Sequence, residues 1–139
     1  MKQYFTIDEL CTSNKAKTFK IDNTPTNEIK SRLNELIDFL NPIREAWGSA
    51  IKVTSGYRNA KVNKLVNGSK TSAHMLGYAA DLYPDNGKFD EFKVFIKNYL
   101  NDKLFDQCII EKSGYSRWIH IGLYNNKHQQ RKMIFNIDK

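Results

Sequence analysis

Three side chains in this sequence have the types and spacing to gather a divalent metal ion. His74 and Asp81 fall in Ser72-Ala-His74-Met-Leu-Gly77-Tyr-Ala-Ala-Asp81, and His120 falls in Trp118-Ile-His120-Ile-Gly122. Two imidazoles and one carboxylate are the ligand set of a zinc site that keeps one position open. The chain has only three histidines, so finding two of them in these stretches is informative. Gly77 lies between His74 and Asp81 and lets the backbone turn. Asp81 follows in Tyr78-Ala-Ala-Asp81-Leu-Tyr83, which reads as a strand. Burying that carboxylate alone would cost on the order of several kcal/mol, so a cation is expected beside it. Spacing alone leaves two choices for it, a metal ion or the guanidinium of Arg58.

Two further residues carry chemistry. Ile51-Lys-Val-Thr-Ser-Gly56 alternates as a strand and delivers Tyr57 and Arg58 to a loop. A guanidinium fixed there can bind a carboxylate or carbonyl with paired N–H groups; its other reading is a structural ion pair. Glu111 ends the strand Gln107-Cys-Ile-Ile-Glu111, and Arg117-Trp-Ile-His-Ile-Gly-Leu123 returns. A two-residue Gly114-Tyr115 loop pairs 113 with 116, 111 with 118 and 109 with 120. Ile109, Glu111, Trp118 and His120 then share one face, with Glu111 diagonal to His120.

Elements of ordinary kinds must hold these groups. Thr6-Ile-Asp-Glu9 is a capping-box pattern that opens a short helix to about Thr12. Residues 13–25 are polar and read as a loop. Ile29, Leu33, Leu36, Ile37, Leu40, Ile43 and Trp47 make the apolar stripe of a long helix, which Pro42 should kink or split near Asn41. A short helix is expected from about Asn59 to Val66. Phe89, Phe92, Phe95, Ile96, Tyr99 and Leu100 line a second long helix. The tail supplies a last strand at 133–137. His128 stands among polar residues and is not a ligand. The whole reads as α+β: one domain, 1–139, with an antiparallel sheet, helices on one side and a metal cleft on the opposite face or at an edge.

Composition bounds the partners. There are 22 basic and 15 acidic residues, a formal charge of +7, which favours an anionic surface. The charges are scattered, with no nucleic-acid-binding motif, so no nucleic-acid partner is expected. Cys11 and Cys108 do not make a disulfide framework, and Cys108 reads as a small buried residue. No apolar run is long enough for a signal peptide or stable membrane anchor, so cytoplasmic synthesis is expected. A monomer is expected.

More of the chain then joins the pattern. Thr54-Ser-Gly-Tyr57-Arg58-Asn, Asn63, Ser72-x-His74-x-x-Gly77-x-Ala79-x-Asp81 and Trp118-x-His120 stand in order. With Tyr4-Phe5, Asp22-Asn23-x-Pro25, Pro42-x-Arg44 and Phe105-Asp106-Gln107-x-Ile109-x-Glu111, the sequence resembles the zinc D-Ala-D-Ala carboxypeptidase and endolysin-type peptidase family of the Hedgehog/DD-peptidase fold. The resemblance implies one zinc ion on His74, Asp81 and His120, and a peptidoglycan stem peptide as substrate. It places Arg58, with Tyr57, Ser72 and Trp118, beside that substrate. Many members carry their base a few residues before the last histidine. Here Ser116, Arg117 and Trp118 occupy that place, so Glu111 is the candidate base; its alternative role is to orient a zinc histidine. The expected activity is hydrolysis of a stem-peptide amide by a phage-type lysin that reaches the cell wall after release. A D-Ala-D-Ala carboxypeptidase, or a wall-binding module without catalysis, are the alternatives.

Overall fold

The longest apolar stripe builds the longest element. In a computed structural model describing residues 2–139, helix α3 runs unbroken over Asn27–Trp47. Thr26 caps it, its hydroxyl accepting from Ile29 N, and Gly48 ends it in the left-handed conformation (φ +79°). Pro42 lies inside the helix without splitting it, so of the two expected outcomes, a kink or a split, the split does not occur. The carbonyl that Pro42 leaves without a partner belongs to Asp38, an exposed residue where water can bond it. Leu36, Leu40 and Ile43 are fully buried around that point, and their packing holds the helix through it.

Three other features differ from the sequence reading. Helix α1 (Ile7–Cys11) is capped by Thr6 as anticipated, but Asn14–Thr18, expected as loop, forms helix α2. Ser13 caps α2 by accepting from Ala16 N, and Ala16 is its buried contact. Helix α4 covers Ala60–Leu65, and a further short helix, α5 (Ala73–Leu76), carries His74. The third difference lies in the sheet. Strands β1 (Ile51–Ser55), β2 (Ala79–Pro84), β3 (Gln107–Ser113), β4 (Ser116–Gly122) and β5 (Met133–Asp138) lie in the order β1-β2-β4-β3-β5. The first three neighbour pairs are antiparallel, but β5 runs parallel to β3, so the sheet is mixed. The chain leaves β4 at Gly122, opposite Gln107, and β5 begins at Met133, also opposite Gln107, so the connection passes the start of β3 at one end of the sheet and β5 runs parallel to β3.

The hairpin has the expected register, with Ser113 opposite Ser116, Glu111 opposite Trp118 and Ile109 opposite His120. Gly114 has φ +59° while Tyr115 keeps a negative φ, the pattern of a turn with glycine first. One face of the sheet packs Ala80, Leu82, Cys108, Ile119 and Ile121 against α3 and the second long helix, α6 (Phe89–Leu100). The opposite face holds Asp81, Glu111, Trp118 and His120 in a cleft. The long helices thus lie on one side, while α5 belongs to the rim of the cleft. Among the described residues no helix is long and apolar enough to cross a membrane.

Both cysteines are free. Burial pushes the Cys11 thiol up to about 11 and the Cys108 thiol up to about 12. Native protein should therefore react slowly with Ellman's reagent at pH 8, Cys108 slowest, and release two equivalents only when unfolded. A fast native reaction at Cys108 would contradict its place under the sheet.

Candidate metal centre

Strand pairing brings two of the three donors together. Asp81 on β2 lies directly opposite His120 on β4, and both side chains enter the cleft. His74 arrives from α5, five residues ahead of Ala79, the first paired position of β2, through the left-handed turn at Gly77 (φ +83°). A Cβ at Gly77 would also press Ile29 at 3.1 Å, so glycine serves both the turn and the approach to α3.

The three donor atoms form a near-regular triangle. His74 Nε2 to Asp81 Oδ1, His120 Nδ1 to Asp81 Oδ1, and His74 Nε2 to His120 Nδ1 are each 3.2 Å. Tetrahedral bonds of about 2.0–2.2 Å would set such atoms about 3.3–3.5 Å apart. All three residues are buried. Among the described residues they are the group of donors close enough to share one ion.

Hydrogen bonding decides what the triangle lacks. His74 Nδ1 lies 2.7 Å from the carbonyl oxygen of Gly56, which can only accept, so the ring hydrogen sits on Nδ1. His74 Nε2 is then a lone pair. A single hydrogen on His120 Nδ1 still leaves His74 Nε2 facing Asp81 Oδ1 across 3.2 Å, acceptor against acceptor. Protonating His74 would relieve this, but burial lowers its pKa below the ordinary histidine value, against the pull of Asp81. Burial also works to raise the Asp81 pKa, and it is positive charge at the His74 position, with hydrogen bonds from both rings, that holds the carboxyl well below the usual range; with His74 neutral, that charge must come from elsewhere. An ionised carboxylate and a neutral imidazole in contact call for a cation between them. The donor set, two nitrogens and one oxygen, suits zinc.

Arg58 is not that cation. Among the described residues no carboxylate lies within ion-pair distance of its guanidinium. Its Nη2 donates to Ser72 Oγ at 3.3 Å, and its Nε is buried without a partner. Burial lowers its pKa from the ordinary arginine value, opposed by Asp81 and Glu111 across the cleft. A half-buried guanidinium with unused donors, lining a cavity, is arranged to take an acceptor from outside the chain.

The loop bearing Arg58 also fixes His74. Arg58 N donates to His74 O at 3.2 Å while Gly56 O receives the ring hydrogen, so one short segment grips the histidine at backbone and side chain. Ser72 Oγ adds a third hold by accepting from His74 N. A Cβ on Gly56 would stand 2.1 Å from Leu10 O, so this approach is open to glycine alone.

Of the other expected site residues, Glu111 and Trp118 are in the cleft, with Trp118 Nε1 donating to Glu111 Oε2 at 3.0 Å. The other oxygen of Glu111 pairs with Lys139 Nζ at 3.0 Å. Glu111 therefore orients neither histidine; Gly56 does that for His74. Tyr57, expected beside the substrate, is 8 % exposed and packs in the core. A register shift between Val53 and Ser55 breaks the strand alternation, and Tyr57 N bonds Leu10 O, turning the ring inward. Lys139, Asp106 and Arg131 line the cleft and were not anticipated there; only the acidic Asp106 within Phe105-Asp106-Gln107 gave a signal.

The cleft has two arms. A cavity of about 670 Å³ runs from the donors past Arg58, Ser72 and Glu111. A second, of about 570 Å³, is lined by Thr54, Ser55, Tyr83, Tyr115, Ser116 and Arg117. Asp81 and Trp118 line both, so the arms meet at the metal centre.

Calorimetry should find one zinc ion per chain in the wild type and no stoichiometric binding in His120→Ala. Gly56→Ala, which displaces the carbonyl orienting His74, should weaken zinc by about 10–100-fold. Undiminished zinc affinity in both variants would refute the assignment. A family model described as peptidase M15 matches residues 3–122. No curated protein matches the chain.

Proposed function

The chain belongs to the peptidase M15 family, the zinc D-Ala-D-Ala carboxypeptidase-like peptidases, and on that premise we propose that it is an endopeptidase cutting an amide within the peptidoglycan stem peptide. Membership points to a metallopeptidase and to peptidoglycan as the general substrate. The observation that supports an endopeptidase is the two-armed cleft. An enzyme that trims a terminal residue needs a pocket closed just beyond the scissile bond. Here cavity continues on both sides of Asp81 and Trp118, which leaves room for peptide in both directions.

His74, Asp81 and His120 would hold the zinc ion. When bound, zinc polarises a carbonyl and lowers the pKa of its water to about 7. The chain's own residues do the rest. Arg58 takes a substrate carboxylate or carbonyl on its free N–H groups, and its partial burial strengthens that contact. Ser72 holds the guanidinium at the cleft wall. Glu111 accepts a proton on a carboxylate oxygen and returns it to the leaving amine. Trp118 and Lys139 each bond one of those oxygens and aim the carboxylate, and each oxygen keeps a second lone pair for the proton.

The setting we infer is that of a phage-type lysin. The formal charge of +7 suits a wall rich in phosphate and carboxylate.

Digestion of purified peptidoglycan by the zinc-loaded protein should expose new amino ends within the stem peptide, identified by mass. Release of free D-alanine alone would instead make it a carboxypeptidase. Binding to the wall with no new amine would make it a binding module. Glu111→Gln should lower kcat by about 10²–10⁴ with zinc binding intact. Arg58→Ala should act mainly by raising KM. An unchanged kcat in Glu111→Gln would remove Glu111 from the proton transfer.

A further inference from the structure

The matched family segment ends at residue 122, but the cleft does not. Asn125, Asn126, Arg131, Phe135, Ile137 and Lys139 line the same cavity as the metal donors. This wall exists because β5 pairs parallel to β3, with Phe135 opposite Ile109 and Ile137 opposite Glu111 on the cleft face. The segment leading to β5 lines the first arm and carries Arg131 there.

Arg131 is held more firmly than a surface arginine. Its Nε donates to Asp106 Oδ1 at 2.7 Å, its Nη2 to Asp106 Oδ2 at 2.9 Å, and its backbone N to Asp106 Oδ1 at 3.2 Å. Asp106 is itself only 2 % exposed. The carboxylate thus consumes two of the five guanidinium hydrogens and fixes the plane of the group. The remaining hydrogens, including both on Nη1, have no acceptor among the described residues, and the side chain, 42 % exposed, lines the cavity. A guanidinium already locked in place loses little conformational freedom when it binds.

Resting on the peptidase reading, we propose that Arg131 is a specificity-determining residue which reads a free carboxylate of the stem peptide in the first arm, apart from the group that Arg58 holds. Asp106 balances its charge, so recognition comes from direction. Two neighbouring N–H donors match the two oxygens of a carboxylate. A carboxamide offers one oxygen and turns its NH₂ toward a donor, leaving both unsatisfied. The wall therefore distinguishes an acidic stem peptide from the same peptide amidated at that carboxylate.

The test uses full-length, zinc-loaded protein and two stem peptides that differ only in that carboxylate being free or amidated. Calorimetry reads binding and mass analysis reads hydrolysis. The wild type should favour the acid by about tenfold, carried by Kd and KM and not by kcat. Arg131→Gln should bring the ratio to about one. Because the ratio compares two substrates on one preparation, partial unfolding cancels from it. The double variant Asp106→Asn with Arg131→Gln removes both charges together, leaves no buried lone carboxylate, and should also show no preference. A wild type indifferent to amidation, or an Arg131→Gln protein that keeps the wild-type ratio, overturns the inference. Arg131-dependent binding of the acid without hydrolysis would support it while ending the peptidase reading.

Discussion

The fold answers one electrostatic demand: three lone-pair donors must be brought to about van der Waals contact in a buried place and kept from collapsing. Asp81 cannot be buried ionised without opposite charge nearby. His74 and His120 come within 3.2 Å of it but supply polar contact and no permanent charge. Everything around the triangle keeps it open toward the cleft. Gly56 O turns one ring, Arg58 N and Ser72 Oγ hold its backbone, and the Asp81–His120 pairing of β2 with β4 sets the other two donors. Beneath them Ala80, Ile119 and Ile121 are fully buried. A slip of one residue between β2 and β4 would exchange those apolar side chains for the donors, so core and centre enforce the same register.

Charge in the cleft is arranged in graded fashion. Asp81 has two imidazoles beside it, Glu111 has an ammonium and an indole, and Asp106 has a full guanidinium clamp. Arg58 stands at the other extreme, half-buried with its Nε–H buried and unused. The donors of the metal triangle and Arg58 are thus left with capacity that the chain does not fill, while Asp106 is filled by the chain itself.

Much of this was legible in residue types and spacing. The scarcity of histidine and the apolar setting of Asp81 pointed to the donors, and Gly114 set the hairpin register that carries Glu111 and Trp118 into the cleft. The failures share a physical origin. The direction of β5 depends on the path of the chain between strands, and the alternation of residues 133–137 is the same either way. Tyr57 was misplaced because a register shift at Val53–Ser55 cannot be seen in a pattern of alternation. Helix α2 is polar apart from Ala16, so periodicity was silent and only the Ser13 cap announced it. Lys139 meets Glu111 through pairing across the sheet, which no local pattern encodes.

The irregularity in β1 reaches beyond the centre. This strand is an edge of the sheet, with one side unpaired, and a straight edge invites strands from other molecules. Five residues, the exposed Lys52 and the break between Val53 and Ser55 make it a poor template. The break in pairing just ahead of Gly56 thus also guards the molecule against self-association and fibril growth along that border.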